Sequence, residues 1–514
     1  MTRVLLRNGS VLGGRPEERA TAVAWEDDRI SFVGDEDQAE AWTGADEVVD
    51  LEGALVTAAF TDAHVHTVRT GLTSSGLDLT GVPSLAACLD ALAQHARAQH
   101  HATAADGVIM GQGWDETDWP EQRHPTASEL ERAAPGRRTY LTRVDGHSSV
   151  ISPALAAAVP GLSDLEGWTS DGRVERAAHH AVRDVLADLV GPDERLAAAR
   201  AACVAMAAQG FGGFHENAAP HIGPEYELDL VRQAAAETGL RATLYWGELL
   251  AVDKAQRLGV AGLAGDLVAD GAFGSRTAAL SEPYSDRGDS RGHAYVTADQ
   301  VRDHVVACTE AGLQAGFHAI GDAALDNIHE GLLAAERDLG TPRVAAARHR
   351  IEHVEMPAPG LLETMARLGV VASVQPVFDA LWGGSRGMYA ARLADRWRDT
   401  NPFRSMVATG VRLAFGSDSP VTPLGPWAAV RAAIHHHAED QRLDPWTAYQ
   451  AHTRGSAEAG EPPPEGRADL VVWDLPAGAD QDRLPDLTPG VPLPEAIRTV
   501  VGGRTIHTRE EALS

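Results

Sequence analysis

Short apolar runs alternate with longer amphipathic stretches along most of the chain. Helical spacing of apolar positions marks the longer stretches; residues 226–238 show it and end before Gly239, a common helix stop. Alternation of this kind favours the α/β class, with a parallel sheet closed into a (β/α)8 TIM barrel. Eight short runs have the length and β-branched content of single strands, and they are 54–66, 210–216, 241–247, 266–271, 313–321, 349–355, 370–376 and 412–417.

Two regions do not fit this count. Residues 67–196, between the first and second runs, hold further strand-like segments at 108–111 and 139–144, and they predict an inserted lid subdomain over one barrel mouth. Strand-like segments also lie near both chain ends, and we expect them to meet in a small β-sandwich domain. The expected domains are therefore 1–57 with 456–514, and the barrel over 58–455; two independent tails are the alternative.

Composition restricts the partners of the protein. The formal net charge of −29 repels phosphate backbones, so nucleic acid is not an expected partner. No apolar run reaches the roughly 18 residues of a membrane span, and the first residues lack a signal-peptide pattern. The cysteines Cys88, Cys203 and Cys308 are far apart and predict free thiols in a reducing cytoplasm. A homodimer is the default expectation for the oligomeric state.

Histidines and one aspartate stand at the carboxyl ends of the expected strands. His64 and His66 end the first strand, and alternate strand residues point the same way, so both can face the barrel axis. His318, His353 and Asp418 end the fifth, sixth and eighth strands. The carboxyl ends of barrel strands converge on one mouth, and imidazole and carboxylate are ligands that zinc prefers. The sequence therefore predicts a metal centre there.

Longer motifs around these residues resemble a known family. Asp62-Ala63-His64-Val65-His66, the strand-end histidines and Gly416-Ser417-Asp418 resemble the amidohydrolase superfamily. Residues 111–115, 270–280, 282–286, 318–322 and 351–353 resemble its YtcJ-like, or N-substituted formamide deformylase-like, branch. The resemblance extends along nearly the whole chain. It implies a barrel with a split β-domain and metal-dependent hydrolysis of C–N bonds.

The fourth strand departs from the pattern of that family. Such enzymes often carry a carboxylated lysine there that bridges two metal ions. In this chain the matching position, four residues before Asp270, is Asp266. The sole lysine, Lys254, lies in a helical-looking stretch between the third and fourth runs. We therefore expect no carboxylated lysine.

Two ligand arrangements stay open. In the first, Asp266 binds metal directly, since carboxylate oxygen also suits zinc. In the second, His353 hydrogen-bonds to substrate or water, and one ion is held by His64, His66, His318 and Asp418. We expect one or two divalent ions, with zinc as the preferred element.

The expected reaction is hydrolysis of an amide-type C–N bond in a small molecule, an N-substituted formamide or an N-acyl amine. Zinc lowers the pKa of its bound water to about 7. Asp418 would take a proton from that water and pass it to the leaving nitrogen, while the metal or His353 polarises the carbonyl. The alternatives are a deaminase or cyclic-amide hydrolase with the same metal site, and a barrel that binds metal or a ligand without turnover.

Substrate contacts are expected from the insertion and from two barrel strand ends. Loops at these positions can close over a substrate and shape its pocket. The candidate residues are Trp114, Asp115, His147, Arg276 and Gln375.

Overall fold

The computed structural model describes residues 2–13, 19–99, 107–460, 462–475 and 484–509. Its centre is an eight-stranded parallel sheet that curls into a nearly closed barrel, which confirms the expected fold class. A backbone bridge between Val65 and Ser419 joins the first strand to the segment after the eighth. The barrel strands, numbered β1–β8 in chain order, are Phe60–Val65, Phe211–Ala218, Arg241–Trp246, Gly262–Leu263, Gln314–Ala319, Arg350–His353, Val371–Val374 and Arg412–Phe415.

The barrel strands are covered on both faces. Every residue of β1, β2, β5, β6 and β7 is buried. Outward side chains such as Phe60, Phe211 and Phe317 join the largest apolar cluster, which lies between the sheet and its helices. A strand buried on both faces need not alternate between apolar and polar residues, and the polar residues of these strands, such as His64, Glu352 and His318, are buried as well.

The helices of the barrel pack around the sheet. Gly71 makes one close approach possible, because a Cβ there would lie 1.9 Å from the backbone oxygen of Ala198 on the neighbouring helix. The α-helices around the barrel are Thr67–Ser75, Pro192–Ala208, Glu227–Thr238, Val252–Leu258, Ala298–Ala311, Asp322–Leu339, Thr341–Ala347, Pro359–Leu368, Pro376–Trp382, Met388–Leu393, Phe403–Thr409, Pro426–Ile434, Pro445–Gln450 and Ser456–Ala459.

Two of the expected strands have other bounds. The run 54–66 contains two strands, Leu55–Ala58 in a terminal sheet and then β1. The fourth barrel strand is Gly262–Leu263, not 266–271. Gly262 allows β4 to lie against β5, since a Cβ there would be 2.4 Å from the backbone oxygen of Gln314. Gly265, at φ +73°, then turns the chain, and Val268 forms only an isolated bridge with His318.

The insertion has a sheet of its own. The strand order across it is Arg173–Glu175, Ser148–Ile151, Arg138–Arg143, Val108–Trp114 and Leu77–Asp78. Its helices are Leu85–Gln99, Ala127–Ala133, Pro153–Ala156 and Arg176–Leu189. Two apolar clusters, one on each side of this sheet, give the subdomain its own core.

Both chain ends contribute to two further sheets. One has four strands in the order Arg29–Gly34, Ala22–Glu26, Arg3–Arg7 and Glu47–Asp50, and the helix Glu36–Ala41 precedes the last of them along the chain. The other has six strands in the order Arg504–Thr508, Glu495–Val501, Leu470–Asp474, Leu55–Ala58, Ser10–Leu12 and Arg19–Ala20. Leu6, Val56, Val472 and Val500 share one apolar cluster, so residues from both ends form one core.

We retain the domain division 1–57 with 456–514, and 58–455 with its insertion at 67–196, as a proposal. Within the described ranges, no helix has the length and apolar content needed to cross a bilayer.

Candidate metal centre

Six side chains from five parts of the barrel meet at its carboxyl-end mouth. We call them the metal cluster. His64 Nε2 lies 3.3 Å from Asp266 Oδ1 and 3.4 Å from Asp418 Oδ1. His66 Nε2 lies 3.3 Å from Asp266 Oδ2 and 3.1 Å from Asp418 Oδ1. The cluster consists of His64, His66, Asp266, His318, His353 and Asp418.

The barrel closure sets the position of Asp418. Its backbone N–H donates to the oxygen of His64 at 2.7 Å, and the N–H of His66 donates to the oxygen of Ser419 at 2.9 Å. Asp62 ties the same strand ends together, since its Oδ1 accepts from the N–H groups of His64 and Ser417. Asp418 has a φ of +55°, a left-handed backbone that non-glycine residues rarely adopt outside sites that demand it.

Five donor atoms of the cluster have no hydrogen-bond partner. His64 Nε2, His318 Nδ1, His353 Nε2, Asp266 Oδ1 and Asp418 Oδ1 are all buried in this state. A buried polar atom without a partner costs about 1–3 kcal/mol. Five such atoms around one point indicate a binding site for a group that accepts lone pairs. A metal ion is such a group.

The spacing of the donors fits a metal ion. Bonds of about 2.0–2.1 Å that meet at tetrahedral angles hold donor atoms roughly 3.3 Å apart. The distances of 3.1–3.4 Å among His64, His66, Asp266 and Asp418 match that value. His318 Nδ1 lies 3.7 Å from Asp266 Oδ1, so Asp266 faces both halves of the cluster. Three overlapping triads of the six residues have donor atoms within 4.8 Å of one another.

Hydrogen bonds on the far side of the His64 and His353 rings fix their tautomers. His64 Nδ1 donates to Glu352 Oε2 at 3.0 Å, because an ionised carboxylate only accepts. His353 Nδ1 donates to Gln375 Oε1 at 2.7 Å. These bonds leave the Nε2 lone pair of each ring free for a metal ion, which is how outer groups orient metal-binding histidines.

Glu352 is itself held by a buried ion pair. Arg350 Nη2 lies 2.9 Å from Glu352 Oε2, and Arg350 also contacts His215, Ala63 and Ser373 on the barrel floor. Burial raises the pKa of Glu352, but the charge of Arg350 and the proton of His64 outweigh it and hold the pKa well below its usual range. Glu352 is therefore a permanent anion beneath His64.

The carboxylates govern the electrostatics of the cluster. Burial lowers the pKa of His64, but Asp418, Asp266 and Glu352 outweigh this and raise the pKa well above its ordinary value. Burial raises the pKa of Asp266, and the imidazoles of His66, His318 and His64 reverse that shift and lower it. A cation is therefore stabilised at the centre of the cluster.

Two cavities open from the metal cluster. The first, of about 570 Å³ including space open to solvent, lies between the barrel and the insertion and is lined mainly by imidazole and charged side chains. The second, of about 310 Å³ including space open to solvent, is lined mainly by aromatic and apolar side chains. His147, His318 and Asp418 border both.

The expected substrate-contact residues lie in different places. The ring of His147 is 5.0 Å from that of His318, at the junction of the cavities. Gln375 contacts His353 rather than either cavity. Trp114 lies in the insertion core with its Nε1 bound to the oxygen of Leu141.

Asp115 and Arg276 lie in ion pairs. Asp115 accepts from Arg143 Nη2 at 2.6 Å and from the backbone and side chain of Thr117. Arg276 pairs with Asp286 at 2.6 Å. Neither residue borders either of the two cavities beside the metal cluster. Their ion pairs stabilise the packing and give no sign of substrate contact.

The residues that hold the metal cluster in place were not predicted from the sequence. Arg350 and Glu352 are two residues apart on β6 and share its inner face. The sequence signal for these two residues is an Arg-x-Glu pattern on a strand that ends in a candidate metal ligand, His353. Asp62 lies two residues before His64, within the motif itself, but its role depends on β1 lying beside the segment after β8.

The sequence profile described as "Amidohydrolase family" matches residues 47–507. The chain belongs to this amidohydrolase family. The assignment agrees with the donor set of the cluster, because enzymes of this family are metal-dependent hydrolases.

Individual relatives agree with the assignment. This amidohydrolase is 26% identical to YtcJ of Bacillus subtilis, over 86% of this chain and 87% of that protein. It is 24% identical to an N-substituted formamide deformylase of Arthrobacter pascens, over 88% and 90% of the two chains. Its fold matches the crystal structure of an uncharacterised metal-dependent hydrolase from Pyrococcus horikoshii with a TM-score of 0.72 and 23% identity, over 94% of this chain and 99% of that one.

Proposed function

We propose that this amidohydrolase cleaves the C–N bond of a small-molecule amide, an N-substituted formamide or an N-acyl amine. The observation that carries the proposal is the convergence of six donor residues, with five buried atoms that lack partners, at the junction of two cavities. The similarity to an N-substituted formamide deformylase over most of both chains supports the bond type.

The metal cluster would hold the ion or ions. We assign His64, His66, Asp266 and Asp418 to one site, since their donor atoms have tetrahedral spacing. His318 and His353 form a second donor group with Asp266, which would be shared between the two. Zinc suits this mixture of imidazole nitrogen and carboxylate oxygen. Lys254 is ion-paired with Glu248 on a barrel helix and is not part of the cluster.

Hydrolysis adds the oxygen of water to the acyl carbon, breaks the C–N bond and returns a proton to the leaving nitrogen. A bound divalent ion supplies Lewis acidity, which lowers the pKa of water and polarises a carbonyl. Asp418 borders both cavities and would accept the proton of the attacking water and later deliver it to the nitrogen. Its strained backbone and its bond to His64 hold the carboxylate in place for both transfers.

His147 would bind the carbonyl oxygen. Burial lowers the pKa of its ring well below the ordinary value, and the nearby His318 and Arg183 lower it further. The ring is therefore neutral at pH 7 and can donate an N–H to the oxygen as negative charge develops there. Gln375 would act by orienting His353 and not by contact with substrate.

The buried thiols support a reducing location. Cys88, Cys203 and Cys308 are free and buried, as expected for a protein of the cytoplasm. We extend the proposal to that compartment.

The direct test is hydrolysis by the metal-loaded protein of a panel of N-substituted formamides, N-acyl amines and aminated heterocycles. Carboxylic acid and amine are measured separately from ammonia. Release of an acid with an equal amount of amine supports the proposal. Release of ammonia from a heterocycle without an acid product would replace it by a deaminase.

A further inference from the structure

The larger cavity beside the metal cluster contains two arginines that form no ion pair among the described residues, Arg69 and Arg183. Its lining also includes Arg176, six histidines and the carboxylates Asp145, Asp266 and Asp418. The formal net charge of the whole chain is −29. Two guanidinium groups without a carboxylate partner in one cavity of such a chain suggest an anionic occupant. We call this space the basic cavity.

Arg69 enters the basic cavity from the helix that directly follows β1. It lies on the helix Thr67–Ser75, three residues after His66, and is half-buried. Among the described residues it forms no ion pair with a carboxylate. Burial and the neighbouring charge of Arg183 lower the pKa of Arg69 to about 10, so it remains a cation at neutral pH.

Arg183 enters from the opposite side, on the helix Arg176–Leu189 of the insertion. Its Nη2 donates to the oxygen of Gly146 at 2.6 Å, and its Nε donates to the hydroxyl of Tyr140 at 3.3 Å. Within the described chain it also has no carboxylate within ion-pair distance. The guanidinium is thus held in place by neutral groups while its charge stays uncompensated.

Other buried arginines of the protein are paired. Arg143 lies within 2.9 Å of three carboxylates, and Arg350 pairs with Glu352. Two cations that share a cavity repel each other, and a buried charge without a partner is costly. Three carboxylates line the same cavity: Asp145 is paired with Arg143, and Asp266 and Asp418 face the histidines of the metal cluster. Arg69 and Arg183 therefore lack a counter-ion that a ligand could supply.

The smaller cavity has the opposite character. It is lined by Phe273, Ile320, Phe378, Trp382, Met388 and Tyr389. These side chains belong to one apolar cluster, in which Phe378 and Trp382 have ring centroids 4.7 Å apart. We call this space the aromatic cavity. Because both cavities meet at the metal cluster, one molecule can extend into both with its central bond at the metal.

We propose that the substrate is an amide with a carboxylate at one end and an apolar group at the other. Arg69 and Arg183 bind the carboxylate, and the aromatic cavity holds the apolar group. Arginine forks match a carboxylate well and make strong, directional hydrogen bonds to it. N-acyl amino acids and monoamides of dicarboxylic acids both have this chemistry. The proposal rests on the amide hydrolysis put forward above.

The kinetic test compares carboxylates with a neutral analogue. The substrates are N-phenylacetylglycine, the mono-N-benzylamide of glutaric acid, and neutral N-(2-hydroxyethyl)phenylacetamide. We expect kcat/KM for one of the two carboxylates to exceed that of the neutral amide by about 10- to 100-fold, the usual size of a charged hydrogen-bond contribution. The preferred carboxylate shows whether the charge lies on the amine or the acyl side. Equal kcat/KM values for all three would overturn the proposal.

Single variants assign the preference to the basic cavity. Arg69→Gln and Arg183→Gln are expected to reduce the ratio of carboxylate to neutral kcat/KM to within about 3-fold of unity, with the neutral amide changed little. Arg287→Gln, at an exposed arginine, serves as the matched control and keeps the full ratio. If the arginines had a purely structural role, the substitutions would reduce kcat/KM for the carboxylate and for the neutral amide by the same factor. If the ratio of carboxylate to neutral kcat/KM stays unchanged in both variants, the proposal is wrong.

A binding measurement separates this proposal from the reaction. We would titrate the metal-loaded protein with 5-phenylpentanoate and with 5-phenylpentan-1-ol, neither of which has a bond to hydrolyse. At least about tenfold tighter binding of the carboxylate, lost in Arg69→Gln, supports the anion site even if no amide is cleaved. If amides are cleaved but the two compounds bind equally, the proposed function stands and the carboxylate proposal fails.

Discussion

Glu352 accepts the Nδ1 proton of His64 at 3.0 Å, at the floor of the barrel below the metal cluster. The bond fixes which nitrogen of His64 faces the cluster, and Arg350 fixes Glu352 in turn. The two residues are 288 positions apart in the chain, so the orientation of the first histidine depends on complete closure of the barrel. Metal binding and barrel integrity are therefore coupled through this pair.

Removal of the charge of Glu352 should weaken metal binding. Glu352→Gln keeps the size of the side chain but replaces the anion that orients His64, so we expect metal affinity to fall by about 10- to 100-fold. Competition with a chromophoric chelator measures this. Glu458→Gln, which removes a carboxylate from an exposed pair with Arg454, should leave the affinity unchanged. Equal affinity in the two variants would show that Glu352 does not orient a metal ligand.

Gln375 should matter through His353. Gln375→Leu removes the acceptor of the His353 Nδ1 proton, so the ring loses its fixed orientation. We expect the content of the second metal ion to fall and kcat to decrease with little change in KM. Metal analysis of the purified variant, together with steady-state kinetics, checks both. A raised KM with full metal content and unchanged kcat would instead indicate that Gln375 contacts substrate.

Asp418 should be needed for proton transfer. Asp418→Asn retains an oxygen that can still bind metal but cannot accept a proton, and we expect kcat to fall by about 10²- to 10⁴-fold. The metal content must be measured beside the rate, because a loss of metal would explain the same fall. Full activity in Asp418→Asn would show that another group moves the proton.

The three thiols should be unreactive in the folded protein. Burial raises the pKa of Cys88, Cys203 and Cys308 to about 12. A thiol with that pKa is ionised in only about one molecule in ten thousand at pH 8, and the thiolate is the nucleophile. A disulfide reagent should therefore label none of them within minutes in buffer and all three in guanidinium chloride. Rapid labelling of the native protein would contradict the burial of these residues.

The strand-end histidines were predictable because position and chemistry agree. His64 and His66 have the spacing of two side chains on one strand face, and the strand ends of a closed barrel face a common mouth. The structure brings them together with His318, His353 and Asp418. Asp266 could be named as a candidate only from its distance to Asp270, since it lies after the fourth strand, Gly262–Leu263, and not in the strand expected at 266–271.

Other parts of the site depend on contacts that no local pattern encodes. Glu352 reaches His64 only because β6 and β1 face each other across the barrel interior. Trp114 and Asp115 stand in a motif of the family, yet they face the core and an arginine of the insertion. Arg69 and Arg183 come from two separate helices, and their shared cavity exists only after both helices have packed.

The central claim is that the metal cluster binds divalent metal ions that the reaction requires. The most direct measurement is elemental analysis of the purified protein before and after dialysis against a chelator, with hydrolysis of an amide followed in parallel. We expect up to two divalent ions per chain, loss of activity with their removal, and recovery on addition of zinc. Full activity in protein that holds less than about a tenth of an ion per chain would contradict the account.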